Sequence, residues 1–127
     1  MMENLFLEST KKTPEANFNI NGKLLLKGRS IPEDPTKFYD ALLHWVMEYS
    51  KNPQAKTEVH IELEYFNSGT SKALLHILRV ITDMKHKGND VVIRWYYEAG
   101  DDDIYERGDY YSSLLESEFE FIEMNEE

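Results

Sequence analysis

Hydrophobic spacing that switches repeatedly between two periods constrains this chain most. Asn17-Phe18-Asn19-Ile20 alternates at period two, Asn21-Gly22 is a two-residue hairpin signal, and Lys23 to Lys27 continues as a second strand. Gly28 to Glu33 then reads as a loop. Asp34-Pro35 opens a helix, Asp as cap and Pro at the first helical position, and Phe38, Ala41, Leu42, Trp45, Val46 and Tyr49 fall on one face of it. From Thr57 to Phe66 the spacing returns to two, with Val59, Ile61, Leu63 and Tyr65 on one face and His60, Glu62, Glu64 and Phe66 on the other. Ala73, Leu74, Ile77, Leu78, Ile81 and Met84 restore the helical period until Lys85-His86-Lys87-Gly88 ends it with cations and a glycine. Asp90 to Tyr97 predicts a strand whose Val91-Val92-Ile93 run suits burial on both faces. A third helix follows, roughly Asp102 to Glu116, with Gly108 weakening it, and Phe119, Phe121 and Ile122 predict a last short strand.

The order is ββαβαβαβ, an α/β fold in which crossover helices impose a mixed, mostly parallel sheet with helices packed on it. At 127 residues the chain suits a single domain, 1–127, with a lead-in over 1–14 and an acidic tail over 124–127 as its loosest parts. Leu5 and Leu7 in the lead-in are candidates for an edge strand or a loose docking contact.

Charge and composition remove several classes of function. With 24 acidic against 14 basic side chains the net charge is −10 and no Lys/Arg cluster stands out, so nucleic acid and anionic membrane surfaces are not expected as partners. The chain has no Cys, hence no disulfide, thiolate nucleophile or Cys-based metal site. Neither a signal sequence nor a membrane-spanning segment is evident, and a cytoplasmic location is expected. His44, His60, His76 and His86 lack metal-ligand spacing, and Asp101-Asp102-Asp103 lacks that of a calcium loop and reads as a helix start. No cofactor is implied. Trp45 and some tyrosines are expected in the core, while the Tyr-rich segments around Tyr96-Tyr97 and Tyr110-Tyr111 suit an interface.

The stretch Tyr65-Phe66-Asn67-Ser68-Gly69-Thr70-Ser71-Lys72 carries the candidate site. It joins a strand to a helix at the edge where α/β folds usually place their sites. Simple capping by Ser or Thr explains part of it. Three hydroxyls in four residues, a glycine, Asn67 and Lys72 exceed what a cap requires, since a phosphate there would meet the favourable end of the helix dipole. A rival reading makes the cleft around Asn67–Lys72, with the Glu62/Glu64 carboxylates, a small-ligand-binding or enzymatic module.

Tyr65-Phe66-Asn67-Ser68-Gly69-Thr70-Ser71-Lys72-Ala73 resembles the motif of the SiaC family of bacterial biofilm-regulation phosphoproteins. The likeness extends through Thr13-Pro14, His44-Trp45-Val46 and Val92-Ile93-Arg94-Trp95-Tyr96-Tyr97. It implies a STAS-like domain, as in anti-sigma-factor antagonists, and a non-enzymatic partner-switching role. A cognate SiaB-like protein kinase would modify the chain and a SiaA-like PP2C-type phosphatase would reverse this. The unmodified form would bind and activate a SiaD-like diguanylate cyclase, linking it to cyclic-di-GMP. By position the implied phosphoacceptor is Ser68, with Thr70 second and Ser71 third, and with Asn67, Gly69 and Lys72 as neighbours. Ser stands at 68 where the family pattern has Thr, and Gly69 where a hydroxyl residue is usual.

Overall fold

The structure, a computed structural model, describes residues 2–125. Three strands, β1 (Leu5–Leu7), β2 (Glu15–Phe18) and β3 (Lys23–Ser30), precede α1 (Pro35–Ser50). β4 (Lys56–Phe66), α2 (Ser68–His86), β5 (Asp90–Glu98), α3 (Asp102–Leu114) and β6 (Glu120–Met124) then alternate. The six strands form one sheet in sequential order, with β1, β2 and β3 antiparallel and β3 to β6 parallel.

In the N-terminal third one of the two expectations for Leu5 and Leu7 holds and one strand is longer than expected. Leu5 to Leu7 pairs with β2 as an edge strand, and β3 runs to Ser30 through the first half of the expected loop. The hairpin also turns differently. The Gly22 N–H closes a turn on the Asn19 carbonyl at 3.0 Å, with Gly22 itself at φ 101°, so the connection is longer than a two-residue Asn-Gly turn. Residues 126 and 127 of the expected tail lie outside the described residues.

Consecutive right-handed crossovers in one direction along a sheet lay their helices on one face. The register shows which residues line that face: Phe18, Leu24, Val59 and Ile93 form one row, and Ala16, Leu26, Ile61, Trp95 and Phe121 the next. They pack against Leu42 and Val46 of α1, Leu74, Leu78 and Ile81 of α2, and Ile104 and Tyr111 of α3 in one core. Each fully buried aliphatic side chain there contributes about 1.5–3 kcal/mol. The reverse face carries Phe6, Asn17, Leu25, His60, Arg94 and Glu120 in a row across all six strands. It stays open, and Val92 is therefore only half-buried. Burial of β5 on both faces was the wrong expectation.

The alternation in β4 breaks before its end. Gly28 pairs with Leu63 but Arg29 with Tyr65, so Glu64 is an extra residue and the strand bulges. Beyond the bulge the faces exchange: Tyr65 turns out to solvent and Phe66 turns in, 1% exposed, reversing their expected sides. α3 stops at Leu114, short of Glu116, which takes a left-handed φ of 51° as the Ser117 N–H bonds back to the Ser112 carbonyl.

Candidate functional site

The bulge delivers Phe66 into the core directly before Asn67, whose N–H donates to the Ser30 carbonyl of β3 at 3.1 Å. The chain then turns into α2. Asn67 is the N-cap: its side-chain oxygen accepts from the Thr70 N–H at 2.9 Å, and its carbonyl accepts from the Ser71 N–H at 2.9 Å. Capping by a Ser or Thr hydroxyl is thereby corrected, because none of the three hydroxyls serves that purpose.

Each hydroxyl occupies a different environment. Thr70 is fully buried; its Oγ1 donates to the Ser30 carbonyl at 3.1 Å and pairs with Ser30 Oγ at 2.9 Å, which in turn meets the Tyr39 hydroxyl of α1. One proton order satisfies the chain: Tyr39 donates to Ser30, Ser30 to Thr70, and Thr70 to the Ser30 carbonyl. Burial pushes the Tyr39 pKa up to about 12, against which the hydrogen bond to Ser30 and the nearby Thr70 hydroxyl work. Ser71 is half-buried and shares hydrogen bonds with Tyr111 of α3, whose hydroxyl donates to the Ser71 carbonyl at 3.0 Å. Burial raises the Tyr111 pKa as well. Ser68, the first residue of α2, is exposed and makes no side-chain hydrogen bond among the described residues.

Gly69 brings the start of α1 against this turn. A Cβ there would lie 2.7 Å from Pro35 Cγ, so a hydroxyl-bearing residue at 69 would push the two helix starts apart. On the other side Ser68 opens into a hollow of 610 Å³ whose cations are Lys72 and Arg107 and whose lining holds no carboxylate. Arg107 reaches across from α3. Its Nη1 donates to the Phe66 carbonyl at 3.2 Å, its guanidinium stands 4.7 Å from the Phe66 ring centroid, and its Nε faces Asp103 at 3.4 Å. Tyr65 and Tyr110 stand exposed at the rim, whereas Tyr111, expected with Tyr110 at an interface, is buried.

The structure does not bring the Glu62/Glu64 pair to this hollow. Glu62 faces Lys27 at 3.4 Å and Glu64 faces Arg29 at 3.7 Å, and neither lines the cleft. The Asp101 carboxylate caps α3, accepting from the Ile104 N–H at 3.1 Å. His60 Nδ1 meets the Tyr96 hydroxyl at 2.8 Å, and its pKa is lowered by burial and then by Arg94. Among the described residues no three His, Asp or Glu side chains converge on one point. The sequence reading missed Ser30, Tyr39 and Arg107. Arg107 had a signal, as the one cation between Asp102 and Leu114 in a strongly acidic chain.

A family model described as SiaC family regulatory phosphoprotein matches residues 7–124. An uncharacterized protein of Pseudomonas aeruginosa, strain UCBPP-PA14, is 28% identical over 98 residues, which span 76% of this chain and 78% of that one. SiaC of Pseudomonas aeruginosa superposes with a TM-score of 0.84 at 24% identity, covering 98% of this chain and 100% of its own. A chain in the crystal structure of the diguanylate cyclase SiaD in complex with its activator SiaC, from the same organism, superposes with a TM-score of 0.85 at 24% identity, covering 96% and 99%. The structural likeness carries the fold, and the family model carries the assignment: this chain belongs to the SiaC family of regulatory phosphoproteins.

Proposed function

We propose that this chain is a phosphorylation-controlled partner-switching protein whose acceptor is Ser68. The observation that carries the reading is the contrast within one helical turn: Ser68 is exposed and uncommitted, while Thr70 and Ser71 hold α2 to β3, α1 and α3. A kinase reaches Ser68 on the folded protein; modifying Thr70 requires opening the core. Asn67, Gly69 and Lys72 frame the acceptor as cap, spacer and cation.

The unmodified form binds and activates a diguanylate cyclase, as SiaC does SiaD, through the edge that holds Ser68 and the exposed Tyr65 and Tyr110. It does so by contact, without catalysis of its own. A phosphoryl group adds about −1.5 to −2 charges at that edge and blocks the contact. A SiaB-like kinase adds it and a SiaA-like PP2C-type phosphatase removes it, in the cytoplasm. No described helix is long and apolar enough to cross a membrane.

Incubation with the cognate kinase, followed by mass-spectrometric mapping, is expected to place the phosphate on Ser68. In pull-downs with the cyclase, Ser68→Asp is expected to lose binding and Ser68→Ala to keep it. A phosphate mapped elsewhere, or equal binding by the two variants, sinks the reading.

A further inference from the structure

We infer that Arg107 is the residue through which the fold registers a phosphoryl group on Ser68, by leaving its resting contacts to clamp the phosphate. This rests on Ser68 being able to carry the group. In a chain of net charge −10, the hollow around Ser68 is lined by two cations and no carboxylate. The first turn of α2, like that of α1, has no acidic residue, whereas α3 begins with Asp102 and Asp103. The helix start beside Ser68 is thus left without a resident anion.

Arg107 is already within reach. Its Nη1 sits on the carbonyl of Phe66, two Cα steps of about 3.8 Å each from Ser68. Its present partners hold it loosely: a single carbonyl, the face of an aromatic ring, and a long contact at 3.4 Å to Asp103, whose side chain is largely exposed. A phosphate offers instead three acceptor oxygens and full charge, which the planar guanidinium meets with two parallel N–H donors. Lys72, one turn along α2, contributes a point charge without that geometry.

Clamping changes the outer surface twice over. The phosphate brings negative charge to the edge, and Arg107, one turn before the exposed Tyr110, releases the exposed Asp103 carboxylate of α3 from its contact. A partner that reads α3 therefore meets an altered helix as well as an altered serine.

The test uses the full chain with phosphoserine installed at position 68 during synthesis, so that no kinase is needed. The second phosphate pKa, about 6 in an unconstrained phosphoserine, is followed by phosphorus NMR. In the folded parent it is expected to fall by roughly half a unit or more relative to the same protein in urea. Arg107→Gln should remove most of that fall, Arg107→Lys should retain part of it, and Lys72→Gln should remove less than Arg107→Gln does. The helix dipole acts equally in every variant, so the difference between parent and Arg107→Gln isolates the guanidinium. Superimposable titrations of the two overturn the inference. If Arg107→Gln fails to fold, the Arg107 Nε–H resonance of the parent decides: movement with the phosphate titration supports the clamp, and a stationary resonance overturns it. Mapping of the natural phosphate to another residue would overturn the proposed function without altering these titrations.

Discussion

Thr70 and Ser68 lie two positions apart and offer the same functional group, but the helical step between them turns one into the core and the other into solvent. Thr70→Val keeps the shape and removes the hydroxyl, leaving the Ser30 hydroxyl and carbonyl with fewer partners in a buried place. Such a loss costs about 1–3 kcal/mol. Ser68→Ala removes a hydroxyl that water already serves, and its effect should stay within about 0.5 kcal/mol. Urea denaturation of both variants checks the pair; a Thr70→Val protein as stable as Ser68→Ala would show that the buried hydroxyl chain does not hold the helix start in place. From the linear chain, Ser68, Thr70 and Ser71 were equivalent save for the family likeness. Their separation depends on Ser30 and Tyr111, each 40 residues from its partner in the turn, and on Tyr39, which reaches Thr70 through Ser30. No local pattern encodes contacts at that separation.

Among the elements, α3 shows how far local propensity reaches. Gly108 reads as a weak point in a helix, and by propensity alone Gly108→Ala would stabilise it by about 1 kcal/mol. Packing reverses the sign. A Cβ at 108 would lie 2.5 Å from Trp95 Nε1, the nitrogen that donates to the Ile104 carbonyl at 2.9 Å, so α3 rests on the indole of β5 through the missing side chain. Trp95 is 1% exposed and has no room to retreat. Overpacking of this kind costs about 1–3 kcal/mol, more than the propensity gain. Gly108→Ala is therefore expected to lower Tm, and a rise in thermal denaturation would show that α3 can shift on the sheet. The same element carries Arg107 and Tyr110 to the Ser68 hollow, so the close seat on Trp95 also sets the geometry of the site. The helix was legible from its acidic start at Asp101-Asp102-Asp103. Its seat was not, because the glycine and the tryptophan belong to different segments.

For the whole molecule, the succession of strands and helices was readable because each segment keeps one period for long enough to declare itself. The open face was not, since a parallel strand rich in Val and Ile is most often covered on both sides, and only the one-directional order β3-β4-β5-β6 leaves one side bare. That bare face carries ion pairs such as Arg94 with Glu58 at 2.8 Å, and others lie exposed elsewhere, such as Lys12 with Glu33 at 2.7 Å. Salt weakens such contacts, each worth about 0–1 kcal/mol, and so tends to destabilise the fold. It also screens the mutual repulsion of a chain whose net charge is −10, which tends to stabilise it. Size decides between them. A domain of this length has a radius of gyration of about 14 Å, while the screening length is about 30 Å at 0.01 M salt. At low salt every charge therefore senses the whole excess, and the repulsion is summed across the molecule while each ion pair acts alone. At about 0.1 M the screening length drops to about 10 Å, the long-range sum is cut off, and contact pairs at under 4 Å lose less. Tm is expected to rise by a few degrees between these salt concentrations, which corresponds to about 1 kcal/mol for a domain of this size. A fall over the same range in scanning calorimetry would mean that the ion pairs outweigh the excess charge.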